Sequence, residues 1–259
     1  MTEAQQQYPT GVNPELVKQG EIDGGNIDGD LKDAETEEHI GFVRKVLGIV
    51  TVQMSFTFLL CVLSSNSKAL GTFFKNPLVL ILSFILLITC TCYISFGKDA
   101  RKKVPLNYIL LAGATLGESF FLAAVAADLT SFSLYMAIMA TCLAVGGLFV
   151  AALYTASTVN RDVLIRNMVT AMITTLFIDL FMVFVTLILY NPKDKEIVIG
   201  ISLIMIVVVS AYIMFAMLFI IVPGIHDKDD YILGALRLYL EIARLFFWMM
   251  RLLGERRRD

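Results

Sequence analysis

After a polar start, the chain alternates long apolar runs with short polar breaks. Residues 1–40 are rich in Gly, Asp and Glu and hold no apolar run. Seven apolar runs follow, over 42–63, 77–96, 104–127, 132–154, 167–190, 197–222 and 231–253. Runs of about 20–26 residues suffice to cross ~30 Å of hydrocarbon at ~1.5 Å per helical residue. The short breaks make neighbours antiparallel. The pattern predicts an all-α integral membrane protein with seven transmembrane helices. An irregular acidic tail occupies 1–40, the membrane domain 41–254 and a basic end 255–259. No internal repeat and no soluble domain stand out.

Composition agrees. Hydrophobic residues make up 57% of the 259-residue chain, charged residues only 17%, and the mean hydropathy is +0.74. That is a membrane composition. The net charge of −2 hides an asymmetry: residues 1–41 hold ten carboxylates against two lysines, so the remainder is basic. The basic charge is scattered over loops and ends, which excludes a nucleic-acid-binding domain. With the N-terminus inside, the inside loops hold Lys98, Arg101, Lys102, Lys103, Arg161, Arg166 and Lys228, with Arg44 and Lys45 beside the first run. The outside loops hold Lys68, Lys75, Lys193 and Lys195. This bias puts the N-terminus on the cytoplasmic or matrix side. Arg251 and Arg256–Arg258 oppose it if the seventh run crosses fully.

The seventh run poses the main chemical question. LRLYLEIARLFFWMMRLL (236–253) carries Arg237, Glu241, Arg244 and Arg251. At ~100° per residue these four and Trp248 share a stripe about 80° wide. A charge facing hydrocarbon costs at least ~2.5–3.5 kcal/mol at mid-membrane, so the stripe needs protein around it. Glu118 in the third run and Asp179 in the fifth are the other intramembrane acids, and each is an ion-path candidate by default.

Other patterns read as structure. Gly113 and Gly117 in the third run, and Ala140, Ala144, Gly147 and Ala151 in the fourth, are small residues spaced for close helix packing. Asn107, Thr115 and Ser119 fall loosely on the Gly113 face. Cys61, Cys90, Cys92 and Cys142 lie in apolar runs and read as small buried hydrophobes. With His39 and His226 the only histidines, no metal centre and no cofactor are expected. HDKDD (226–230) reads as an acidic cap of the last helix. GGNIDGDLKDAE (24–35) imitates a calcium loop, but Gly24 stands where an Asp is needed, so the tail is read as solvated or partner-binding. Without a nucleophile elbow, phosphate loop or metal-binding helix pair, an enzyme is not expected.

Three stretches carry a resemblance: VPLNYILLAGATLGES (104–119), DDYILGALRLYLEIARLFFWMMRLLG (229–254) and GFVRKVLGIVTVQ (41–53). Together they resemble the Bax inhibitor family of seven-span proteins, in its Lifeguard branch, over residues 38–254. The resemblance implies six helices around a central seventh, which would shield the charged stripe. It also implies calcium leak across intracellular membranes and cell-death regulation, through facing acids late in the sixth span and in the seventh. The seventh-span acid maps to Glu241. The sixth-span position falls on Ala216, and two positions that are typically Asn fall on Arg237 and Arg244. Both arginines can reach Glu241 by helical spacing. An acid held by guanidinia is a poor proton switch.

The reading that follows is a non-enzymatic member of this family with a degraded acid pair, in contact with the bilayer and with protein partners as an accessory subunit of a larger membrane complex. The mitochondrial inner membrane or the endoplasmic reticulum is the expected setting. The alternative is a calcium leak channel, with calcium as the partner, using Glu118, Asp179 or Glu241.

Overall fold

The computed structural model describes residues 27–97, 103–156, 195–222 and 230–255. Residues 1–42 and 43–259 form two compact units. Among the described residues there are seven helices and no strand: α1 Ile27–Asn66, α2 Lys68–Phe74, α3 Pro77–Phe96, α4 Leu106–Ala126, α5 Ser131–Ala156, α6 Lys195–Ile221 and α7 Tyr231–Leu253. Five contain stretches long and apolar enough to cross a membrane: Thr36–Asn66, Pro77–Phe96, Leu106–Ala126, Ser131–Ala156 and Val198–Ile221. The predicted fifth run, 167–190, and with it Asp179, lies outside the described residues.

Two elements correct the sequence reading. The tail was expected to be irregular to residue 40, but α1 begins at Ile27. Its first turns, IDGDLKDAE, mix the helix formers Leu, Lys, Ala and Glu with aspartates, whose charge favours a helix N-terminus. Helical backbone from Ile27 also excludes a calcium-loop turn over 27–35. The other element is α2, which the hydropathy pattern did not show. Seven residues are too few for a span, and Ser67 starts the helix by accepting a hydrogen bond from Leu70 N. Asn76 then caps α3 the same way, accepting from Leu78 N at 3.0 Å, with Pro77 in the first turn.

Close packing of α3 on α4 follows from glycine. A Cβ on Gly117 would sit 2.6 Å from Ser83 O and 2.9 Å from Leu87 N; one on Gly113 would meet Cys90 Sγ at 2.7 Å. The glycines therefore let the two backbones approach. The fourth-run stripe behaves differently. Ala140 and Ala144 are half-buried, Gly147 and Ala151 are exposed, and nothing lies within 4 Å of a Cβ on Gly147. Small residues permit close approach but do not compel it. The cysteines also divide: Cys61 and Cys90 are buried, whereas Cys92 and Cys142 are exposed.

The C-terminal helix is the centre. Fifteen of its residues are buried, from Ile232 to Met250. It packs on α3, α4, α5 and α6. It also meets α1, where Phe58 and Phe246 form an edge-to-face pair at 4.9 Å between centroids. Its charges disqualify it as a span by composition, yet it runs the full length of α4. At one end Tyr231 OH lies 3.1 Å from Tyr108 OH in the first turn of α4, and Lys45 stacks over the Tyr231 ring. At the other, Thr130 N donates to Glu255 O at 2.9 Å and Glu255 N donates to Ser133 Oγ at 3.1 Å. Glu255 is thus tied to the α4–α5 turn. The last helix crosses from end to end, from Tyr108 at the start of α4 to the α4–α5 turn.

Candidate functional site

The polar side chains that α7 brings into the core form two groups. The first holds Tyr239. Its hydroxyl lies 3.0 Å from Thr57 Oγ1 on α1 and 3.4 Å from Ser119 Oγ on α4; Thr57 Oγ1 and Ser119 Oγ are 2.8 Å apart. One turn away, Gln53 Nε2 donates to Thr115 Oγ1 at 2.7 Å. Directions follow from the backbone. Thr57 Oγ1 donates its hydrogen to Gln53 O at 2.9 Å, and Thr115 Oγ1 donates to Leu111 O at 2.8 Å. Each hydroxyl can then only accept from its neighbours. Thr57 is therefore an acceptor within the node, and Tyr239 OH also lies 3.4 Å from a second acceptor, Thr115 O. All five residues are buried. The cluster joins three helices by bonds that each satisfy a group otherwise stranded in an apolar interior.

The helix periodicity that builds this node lies on α1. Gln53, Thr57, Cys61, Ser64 and Ser65 share a buried face. Further along it, Ser64 Oγ donates to Ala123 O at 2.7 Å and Ser65 Oγ to Leu129 O at 3.1 Å. Thr115 and Ser119, loosely placed by the sequence, are members of the node. Gln53, Thr57 and Tyr239 were missed. The available signal was the four-residue spacing of Gln53, Thr57 and Cys61 in an otherwise apolar run. Glu118 is half-buried beside the node, within electrostatic reach of Cys61 and Tyr239.

The second group is the predicted one. Glu241 is 7% exposed, and its Oε1 accepts from Arg244 Nη1 at 2.8 Å. Arg244 lies one turn ahead on the same helix. Of the two arginines expected around the acid, Arg244 is the one that binds it. Arg237, Arg244 and Arg251 stand seven residues apart on a half-buried seam, and Arg251 stacks on Phe247 at 5.3 Å. Glu241 Oε2 is buried with no hydrogen-bond partner. On α6, Ala216 is half-buried, and residues 198–221 contain no acid. Among the described residues no group of three metal-ligating side chains comes together. Asp230 holds the N-cap position of α7 without a side-chain capping bond, and the rest of the expected acidic cap, 226–229, lies outside the described residues.

The bundle thus has a charged helix at its centre, and α3 packs closely on α4. The family described as "Inhibitor of apoptosis-promoting Bax1" matches residues 39–258. The chain belongs to the Bax inhibitor family. Curated relatives include the Golgi anti-apoptotic proteins of Vaccinia virus strains Lister and LC16m0. Each is 25% identical over 242 residues, covering 89% of this chain and 92% of the relative. The protein is an integral membrane member of the Bax inhibitor family. The family match spans α7 and its charges, so membership and the buried Glu241–Arg244 pair concern the same segment.

Proposed function

We propose that the protein is a non-enzymatic, non-conducting member of the Bax inhibitor family, serving as a structural accessory subunit of a larger membrane complex. The observation that carries this reading is the ion pair of Glu241 with Arg244, opposite an α6 that offers no acid over residues 198–221. A cation path needs carboxylate oxygens free to coordinate. Here one oxygen is taken by a guanidinium. The pair instead works as a packing element of the central helix. The acidic charge of residues 1–41 suits a basic partner. The setting we favour is the mitochondrial inner membrane or the endoplasmic reticulum, with the N-terminus on the matrix or cytoplasmic side.

The test is migration on native gels after mild detergent extraction. The expected result is comigration with specific partners well above the 28.8 kDa chain. Migration as an isolated chain contradicts the accessory role. A second reading, a calcium leak that regulates cell death, draws on the name of the viral relatives and on Glu241 Oε2, which is buried without a partner. Calcium flux in liposomes separates the two.

A further inference from the structure

At the bundle end where α1 stops and α3 starts, a cavity of about 180 Å³ opens between α2 and the α4–α5 turn. Ser67, Lys68, Thr72, Lys75 and Asp128 give it polar walls. The floor is Gly71, where a Cβ would meet Ala127 Cβ and Ser64 O at 3.3 Å. Around this polar patch the surface is apolar: Leu63, Leu70 and Phe73 are exposed. The walls are pinned. Ser64 and Ser65 bond to the backbone of Ala123 and Leu129, Ser131 Oγ donates to Asn66 Oδ1 at 2.8 Å, and Lys75 pairs with Asp128.

The donor inventory selects the ligand. Asp128 is neutralised by Lys75. Lys68 has no ion-pair partner among the described residues and offers three N–H donors. Ser67 Oγ accepts from Leu70 N, which leaves its own hydrogen to give. Thr72 Oγ1 already donates to Lys68 O at 2.8 Å. The cavity therefore presents donors and one uncompensated positive charge, a match for an acceptor-rich anion rather than a metal ion. Its position at the ends of the spans is the depth at which phosphate groups of a leaflet lie. Apolar side chains at its rim suit acyl chains.

We propose that this cavity binds the phosphate ester of a glycerophospholipid headgroup, with Lys68 as its principal recognition group. The site is independent of whether the protein conducts ions. The test uses the full chain in a mild non-ionic detergent, titrated with dioleoylphosphatidylglycerol, dioleoylglycerol or inorganic phosphate and read by native mass spectrometry. One phosphatidylglycerol should bind per chain and dioleoylglycerol should not. Lys68→Ala should weaken binding about tenfold, the usual loss for one charge-assisted hydrogen bond, while Lys68→Arg should retain it. Equal binding by the wild type and Lys68→Ala would overturn the site. Equal loss in Lys68→Ala and Lys68→Arg would overturn charge recognition. Inorganic phosphate binding as tightly as the lipid, with the same Lys68 dependence, would overturn the lipid assignment in favour of a free-phosphate site.

Discussion

At the scale of single residues, the buried ion pair and the Tyr239 node make opposite demands. Breaking a buried pair leaves one charge uncompensated, and that matters more than the attraction lost. Glu241→Gln should therefore destabilise the protein by about 1–3 kcal/mol, the residual exposure of Arg244 keeping the cost below that of a fully dry pair. Glu241→Gln combined with Arg244→Met should recover most of the loss, because no charge is then stranded. Chemical unfolding in detergent measures both, and a double variant worse than the single would contradict the argument. Tyr239→Phe removes one hydroxyl from a shared acceptor while keeping the ring in place. A smaller loss is expected, about 0.5–1.5 kcal/mol by the same assay. If Thr57→Val added its full effect on top of Tyr239→Phe, the two groups would not be bonded.

At the scale of helices, glycine separates two kinds of contact. In α4, Gly117→Ala places a methyl 2.6 Å from a backbone oxygen of α3, which cannot move without moving the helix. The expected loss is at least about 1–3 kcal/mol. In α5, a Cβ on Gly147 meets nothing within 4 Å, so Gly147→Ala should be neutral or stabilising by up to ~1 kcal/mol. Thermal unfolding of the two variants side by side checks the pair. Much of this level was legible in the sequence. Hydropathy located 77–96 and 231–253 to the residue, because lipid imposes long apolar runs. It missed α2, which is too short to leave a run, and it missed the helical start at Ile27, where charge was read as irregularity. It also missed the node. Thr57, Ser119 and Tyr239 lie 62 to 182 residues apart in the chain, and Ser, Thr and Tyr each pass as ordinary spanning residues. Only the packing of three helices reveals that they meet.

At the scale of the whole molecule, α7 resolves the opening problem of charges in a membrane by being surrounded. The bundle supplies the polar and aromatic partners that lipid would not. Its end-to-end course has a topological consequence. Glu255 is tied to Thr130 and Ser133, whereas Tyr231 meets Tyr108. Cysteines placed singly at Ser131 and Glu255 should label with an impermeant thiol reagent from one face of the membrane, and one at Lys103 from the other, in a background lacking native cysteines. Labelling of Glu255→Cys and Lys103→Cys from the same face would contradict the course of the last helix. Among the described residues the last helix is central, and the acid that the resemblance assigns to ion passage is held by an arginine.

The most direct test of that central claim is calcium flux through the purified full chain in dye-loaded liposomes, for the wild type and Glu241→Gln. The account predicts flux no greater than in protein-free liposomes for both proteins, across the pH range in which each stays folded. Wild-type flux that changes with pH and is lost in Glu241→Gln would contradict it.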